Sequence, residues 1–167
     1  MNYKTEKKKP SDSMVQMEQL VLPNDANMLN NLFGGRLLQW IDAAGAMAAM
    51  KHSRKEVVTV AVDSVDFREP VRVGDMVKLT AKVTWTGRTS MEIKVTVFCE
   101  KPRTGEIIKT NEAFMTLVAL NDDGKPGEVP ALSPETDEEK ADFDTAKERR
   151  DYRLDRKSSR EKALKEK

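Results

Sequence analysis

The residues best suited to chemistry lie between positions 27 and 42. Two asparagines, Asn27 and Asn31, precede the glycine pair Gly34 and Gly35, and an acid, Asp42, follows. Asparagine and glycine are typical of a helix entrance, where they cap the first turn or let another backbone come close. A carboxylate can act as a general base or nucleophile, and peptide N–H groups at a helix N-terminus can polarise a carbonyl. These groups can therefore activate a water molecule and hold an oxyanion.

A long helix must position these groups. Apolar residues recur at helical spacing, and the helix should end near His52-Ser53; they are Leu37, Leu38, Ile41, Ala44, Ala48 and Ala49. The alanine-rich run 43–49 makes the helix thin, so it can lie deep against a sheet. Asp42 would then be poorly solvated at a shared surface. The alternative is a solvated acid on the exposed side of the helix.

Strand patterns flank this helix. A short apolar alternation within residues 11–23 predicts a first strand, and residues 57–67, 76–86, 89–100 and 106–120 predict four more. In 76–86 the residues from Val77 to Trp85 alternate onto one face. In 57–67 the apolar residues change from even to odd positions near Asp63-Ser64, and this change predicts a β-bulge. One helix against an antiparallel sheet is an α+β arrangement, and the sheet left uncovered by a single helix points to self-association.

Composition excludes several classes of protein. The 167 residues carry a net charge of +1, so no overall field attracts nucleic acid or membrane. No apolar run is long enough to span a bilayer, and the lysine-rich leader has no apolar core behind it. One cysteine, Cys99, makes no intramolecular disulfide and is expected to be a small buried hydrophobe. We therefore expect a cytoplasmic protein.

Charge divides the chain into three parts: a leader (1–11), a domain (12–132) and a tail (133–167). In residues 135–167, 22 of 33 residues are charged, 11 of each sign. This composition permits either a charged helix or a disordered tail. The basic residues are interleaved with acids, so the tail makes a weak nucleic-acid arm.

Four motifs, in this order, carry a family resemblance. They are N-D-A-N-x3-N-x-F-G-G-x4-W-I-D-x-A-G-A, V-T-V-A-V-D-S-V-D-F, P-x-x-V-G-D and G-R-T-S-M-E-I-K-V. Over about residues 12–132 the chain resembles the hotdog-fold acyl-CoA thioesterases. The resemblance implies a curved antiparallel sheet wrapped around one long helix. It also implies homodimers, often assembled as a trimer of dimers (a homohexamer), with active sites at the dimer interface.

The resemblance also implies roles for individual residues. Asp42 would be the catalytic acid and Asn27 the catalytic asparagine, contributed by opposing subunits. Asn31 falls on a position that varies between asparagine and aspartate in relatives. Gly34 and Gly35 would polarise the thioester carbonyl.

The substrate of such an enzyme is an acyl-CoA, a compound of fatty acid metabolism, and no cofactor other than the CoA of the substrate is expected. Its phosphates would be held by polar residues of the 87–90 turn and, as a weaker candidate, of the 102–105 loop. The strand 57–67 would line the pantetheine channel. The residues concerned are Arg88, Thr89, Ser90, Arg103, Ser64 and Phe67.

The sequence also bears on three alternative functions: a hydratase, an acyl-CoA sensor and an interaction module. The single histidine, His52, is expected to cap the helix C-terminus, so the Asp-His pair of hotdog hydratases is missing. A non-catalytic acyl-CoA sensor could dispense with the acid, whereas this chain keeps both Asp42 and Asn27. A protein that works mainly through its charged tail would lose function without 135–167 while still releasing thiol.

Overall fold

A computed structural model describes residues 7–65 and 69–165, so Phe67 lies outside the described residues. Within them the chain forms five strands, two α-helices and two short 3-10 turns. The order of the main elements is β1 (Val15–Leu20), α1 (Gly34–Ser53), β2 (Glu56–Val65), β3 (Met76–Thr86), β4 (Ser90–Lys101), β5 (Glu106–Leu120) and α2 (Asp137–Lys165). The predicted succession of strand, long helix and four strands is confirmed.

The strands form one antiparallel sheet in the order β1-β3-β4-β5-β2. Helix α1 packs against one face, here called the inner face. Side chains alternate along each strand, so every second residue faces α1. In β5 this inner row is Ala113, Met115, Leu117 and Ala119, all fully buried. The core of the domain therefore lies between α1 and the sheet.

Small residues let α1 approach the sheet closely. Gly45 faces Met115, and a Cβ on Gly45 would lie 2.5 Å from the Met115 sulfur. Ala44, Ala48 and Ala49 are fully buried beside it. The prediction of a thin helix lying deep against a sheet is confirmed.

Strand β2 is an edge strand with two irregularities. Its register against β5 shifts between Thr59 and Ala61 and again between Val62 and Ser64. The second shift is the predicted bulge, and the first was not predicted. A bulge leaves one residue unpaired and bends the strand. A further register shift, between Val83 and Trp85 of β3, makes the predicted placement of Trp85 wrong, since it lies opposite the outward-facing Glu92.

The charged tail forms a helix, α2, which settles the choice between helix and disorder for residues 137–165. It packs on the outer face of the sheet. Ala146 is fully buried, whereas Tyr152 and Leu154, two of its apolar residues, are exposed. Arg149 donates two hydrogen bonds to the buried Glu92 of β4, and its guanidinium lies 3.8 Å from the centre of the Phe114 ring. Ion pairs therefore contribute much of this contact.

The prediction that the His52 ring caps the end of α1 is wrong, because the buried ring bonds two other segments and not the helix carbonyls. His52 is fully buried, with its Nδ1 3.2 Å from the Ser13 hydroxyl and its Nε2 3.0 Å from the Pro130 carbonyl oxygen. The left-handed residue Arg54 ends the helix. No helix in the described ranges is long and apolar enough to cross a membrane.

Candidate active site

The loop before α1 is organised by the side chain of Asn27. Its Oδ1 accepts hydrogen bonds from the backbone N–H groups of Leu29 (2.9 Å) and Asn31 (3.2 Å). Because backbone N–H groups only donate, these bonds fix the orientation of the carboxamide. Its NH₂ group has no acceptor in the part of the chain that the structure describes. Asn27 thus presents a free donor beside the start of α1.

Helix α1 begins without a side-chain cap. The N-cap residue is Phe33, so the prediction of an asparagine or glycine cap is wrong: Asn27 caps the loop instead. The first backbone N–H groups with an acceptor in α1 are those of Arg36 and Leu37, which donate to the Phe33 carbonyl. The Gly34 and Gly35 N–H groups find no acceptor within residues 7–65 and 69–165. This positive helix end is available to an anion.

Asn27, Asn31 and Gly34 line one cavity of about 400 Å³. Its other walls include Leu37 of α1, Val71 and the buried Asn111 of β5. The structure therefore brings three of the predicted site residues together around a polar cavity at the N-terminal end of α1.

Gly35 lies on the other side of the helix start. A Cβ on Gly35 would lie 2.5 Å from the Phe33 ring. It lines a different cavity with Arg36, whose guanidinium is 3.0 Å from the carboxylate of Asp25. The need for glycine at this position therefore comes from the Phe33 ring.

Asp42 lies two turns further along α1, on the side away from the core. It is exposed on the single chain, and its Oδ1 accepts a hydrogen bond of 2.7 Å from the hydroxyl of Thr59 in β2. It does not line the cavity of Asn27. With a rise of 1.5 Å per residue, Asp42 lies about 12 Å along the axis from Gly34.

Thr59 was not among the predicted site residues. It pairs with Leu117 in the register of β2, so its side chain shares the inner face with α1. Threonine is common in strands, so its residue type alone does not mark it as a site residue. The available signal was a lone hydroxyl in the otherwise apolar run Val57–Val62.

Exposed apolar residues lie near Asp42 on α1 and along the adjacent edge strand β2. Leu38 lies about one turn and Met50 about two turns from Asp42 along α1, and each is about 40% exposed. Val58, Val60 and Val62 of the edge strand are exposed to a similar or greater extent. Natural proteins rarely leave an apolar edge strand uncovered.

The turn of Arg88, Thr89 and Ser90 lies far from Asn27 on the same chain. The Thr89 carbonyl accepts from the N–H of Ala119, and the Arg88 carbonyl accepts from the N–H of Val129. Ala119 pairs with Val57, at the start of β2 and just beyond the C-terminal end of α1. Because α1 is about 30 Å long, Arg88 and Gly34 lie at opposite ends of the domain.

Arg103 lies at the same end as Asn27. It lines a cavity of about 600 Å³ with Arg72 and Lys101. Glu69 and Pro70 line both this cavity and that of Asn27, so the two adjoin. Ser64 lies in β2 opposite Phe114.

Two buried groups have shifted pKa values, and neither lines the cavity of Asn27. Burial lowers the pKa of His52, an effect strengthened by Lys8 and opposed by the hydrogen bond to Pro130. Burial, together with the carboxylate of Asp75, raises the pKa of the Cys99 thiol to about 11. No group of His, Cys, Asp and Glu residues among those described is arranged to hold a metal ion.

Comparison with known proteins agrees with this architecture. A family model described as the thioesterase superfamily matches residues 29–106. The α+β hotdog fold and the site thus define a thioesterase. An acyl-CoA thioester hydrolase of Bacillus subtilis, named as uncharacterized, is 43% identical over 146 residues, 87% of this chain and 85% of its own. The chain therefore belongs to the acyl-CoA thioester hydrolases of the thioesterase superfamily.

Two solved structures extend the comparison. The acyl-CoA hydrolase of Staphylococcus aureus, solved with butyryl-CoA and CoA, has a TM-score of 0.89 and 36% identity over 96% of this chain and 98% of its own. A hexameric acyl-CoA thioesterase has a TM-score of 0.87 and 43% identity over 92% of this chain and 97% of its own. Structures of the Staphylococcus enzyme with an Asn-to-Ala, an Asp-to-Ala and a Thr-to-Ala substitution are similar to this chain as well.

Proposed function

We propose that this protein hydrolyses acyl-CoA thioesters to free CoA and a carboxylic acid, with Asp42 as the general base. The observation that carries the proposal is the hydrogen bond from Thr59 to Asp42. It holds one carboxylate oxygen and leaves the other to accept a proton from water. An oriented carboxylate within an apolar surface is the arrangement that general-base catalysis requires.

The substitutions studied in the Staphylococcus enzyme support these residues. The replaced asparagine, aspartate and threonine are separated along that chain by the same intervals as Asn27, Asp42 and Thr59 here. Three residue types at two matching intervals are unlikely to coincide by chance. Thr59 therefore enters the proposed site as the residue that orients Asp42.

Asn27 and the start of α1 are proposed to stabilise the oxyanion. The carboxamide of Asn27 has its oxygen engaged by backbone N–H groups, so it presents its NH₂ group as a donor. This orientation favours donation of a hydrogen bond to the thioester oxygen over acceptance of one from water. The N–H groups of Gly34 and Gly35 add the positive end of the helix dipole.

Two copies of the chain are proposed to share each site. On one chain Asp42 and Asn27 do not line the same cavity, and Asp42 lies within the exposed apolar surface that includes the free edge of β2. Pairing of two such edges in a symmetric dimer would cover this surface and bring Asp42 of one copy to the helix start of the other. The hexameric relative supports a further assembly of three dimers.

In this mechanism water attacks the thioester carbon while Asp42 takes its proton. The carbonyl oxygen becomes an oxyanion held by Asn27 and the helix N–H groups. When the tetrahedral intermediate collapses, the carbon–sulfur bond breaks and CoA leaves as the thiolate. The proton on Asp42 then returns to that sulfur, which restores the carboxylate.

The CoA phosphates are proposed to contact arginines from two directions. Arg103 lies in a cavity that adjoins that of Asn27 on the same chain. Arg88, with Thr89 and Ser90, lies at the opposite end of α1 and would reach the site only from the partner copy. The pantetheine arm is proposed to run along β2 near Ser64.

The test is release of free thiol from a panel of acyl-CoAs by the purified protein. Asp42→Asn should lower kcat by about 10² to 10⁴-fold. Asp123→Asn, which alters an exposed turn carboxylate, is the matched control and should leave kcat unchanged. Equal thiol release by the wild type and Asp42→Asn would overturn the role of Asp42. Tight binding of acyl-CoA without turnover by the wild type would instead make this protein a sensor.

A further inference from the structure

Helix α2 is anchored to the central strand β4 by two ion pairs. The Arg149 guanidinium forms an ion pair with the Glu92 carboxylate at 2.7 Å, and the Glu92 side chain is only 2% exposed. Lys94 lies 3.0 Å from Asp142, with both side chains about one-fifth exposed. Ion pairs that are largely removed from water are costly to break, because one charge is left buried without a partner. The first half of α2 is thus firmly placed over β4.

From this anchorage α2 reaches the edge strand β2. The Arg153 guanidinium forms an ion pair with the Asp63 carboxylate at 2.5 Å, and the two side chains are 23% and 21% exposed. Between β4 and β2 lies β5, whose Phe114 ring packs under Arg149. Arg153 therefore connects the helix to β2 across the outer side of β5.

Asp63 occupies the weakest part of β2. It is the unpaired residue of the second bulge, since Val62 pairs with Met115 and Ser64 with Phe114. A bulge removes one of the pairs that join β2 to β5. The Arg153 ion pair supplies a lateral restraint at the point where the ladder is interrupted.

Thr59 lies just before the first bulge of the same strand, where it donates to Asp42. Movement of the bulged half of β2 would shift Thr59 relative to α1. Misplacement of a catalytic group by about 1 Å can cost about 100-fold in rate. The Arg153–Asp63 ion pair and the Thr59–Asp42 hydrogen bond therefore act on the same short stretch of β2.

We propose that α2 braces the catalytic strand, and that Arg153 and Asp63 are positioning residues that keep Thr59 in register with Asp42. This inference rests on the proposed function of Asp42. It assigns the charged tail a role in turnover, through β2, without any contact with the substrate.

The experiment compares Arg153→Ala with Arg156→Ala in thiol release from butyryl-CoA. Arg156 is an exposed arginine three residues further along α2, with its guanidinium 5.9 Å from the Tyr152 ring, and serves as the matched control. Arg153→Ala should lower kcat about tenfold while KM stays within about twofold, because the alignment of Asp42 is lost and the substrate contacts remain. Arg156→Ala should match the wild type in both.

A charge exchange separates positioning from general stability. Asp63→Arg should be as impaired as Arg153→Ala, and the double variant Asp63→Arg/Arg153→Asp should recover at least half of the wild-type kcat. Both single variants should remain folded by circular dichroism. Equal kcat in Arg153→Ala and Arg156→Ala, or no recovery in the folded double variant, would overturn the brace. If Arg153→Ala unfolds, the double variant alone decides. Absence of thiol release by the wild type from every acyl-CoA of the panel would instead overturn the proposed function.

Discussion

The two helices cover the two faces of the sheet in different ways. Helix α1 packs against the inner face through alanine, glycine and Ile41, and the buried residues under it are almost all apolar. Helix α2 packs against the outer face through arginine, aspartate, one buried alanine and the partly buried Phe143, and its partners Glu92 and Lys94 are charged. The inner contact depends on shape, whereas the outer contact depends on charge pairs that must be matched one by one.

This difference fits the positions of the two helices relative to the site. Close packing fixes α1 tightly, as a helix that carries Asp42 and the free N–H groups of Gly34 and Gly35 requires. Paired charges give α2 a defined register on a polar surface that would otherwise face water. In the proposed mechanism the first helix therefore carries the site, and in the proposed brace the second restrains one of its strands from the outer face.

Removal of side-chain volume between α1 and the sheet should have the largest effect on the free energy of unfolding. Ile41 is 1% exposed, so Ile41→Ala leaves a cavity and should lower the free energy of unfolding by about 3 to 4 kcal/mol. Leu154→Ala, at an exposed position of α2, should cost less than about 1 kcal/mol. Urea unfolding of both variants makes the comparison. Equal costs would show that the inner contact does not depend on close packing.

Removal of one charge from the contact between α2 and the sheet should have the next largest effect on the free energy of unfolding. Arg149→Ala leaves the Glu92 carboxylate buried without its partner and should cost about 2 to 3 kcal/mol. The double variant Arg149→Met/Glu92→Leu removes both charges and should recover most of that stability. Recovery distinguishes an unpaired charge from simple loss of packing, which the double variant would not repair.

Acid should weaken the inner contact at the end of α1. Burial lowers the pKa of His52 below its ordinary 6.5, so the unfolded chain binds a proton at a higher pH than the folded chain does. The stability that neutral His52 contributes is complete above pH 6.5 and is lost as the pH falls below it. Urea midpoints measured between pH 7 and about 5.5 should therefore decline. In His52→Gln this decline should be shallower, and an equal slope would contradict the assignment.

The smallest effect concerns the thiol on the inner face. With its pKa raised to about 11, Cys99 has only about one thiolate per thousand molecules at pH 8. Iodoacetamide should therefore leave the folded protein unmodified and label it fully in urea, as measured by mass spectrometry. Rapid labelling of the folded protein would show that the inner face near Cys99 opens readily.

Much of this fold was predictable from the sequence, for specific reasons. Alternation in β3 predicted its bounds, because one face of that strand is buried against α1. The change in the apolar alternation near Asp63 predicted one of the two bulges of β2. Trp85 was misplaced because a register shift reverses faces without changing the apolar pattern.

The site was predictable in its residues and much less in its arrangement. Asn27, Gly34 and Asp42 stand out by type and spacing. That Phe33 would be the N-cap, and that Asn27 would turn its oxygen to the loop, depend on backbone geometry. Thr59 and the Arg153–Asp63 pair join segments far apart along the chain, so local patterns do not reveal them.

The central claim is that Asp42 of one copy works with Asn27 of another. Thiol release is measured for Asn27→Ala and Asp42→Asn, each nearly inactive alone, and for the two variants mixed at equal amounts after joint refolding. If the residues meet across subunits, about one-quarter of the sites regain both groups, and about one-quarter of the wild-type activity returns. If both groups must come from the same chain, every site in the mixture lacks one of them. Activity no greater than that of the separate variants would therefore contradict the shared site.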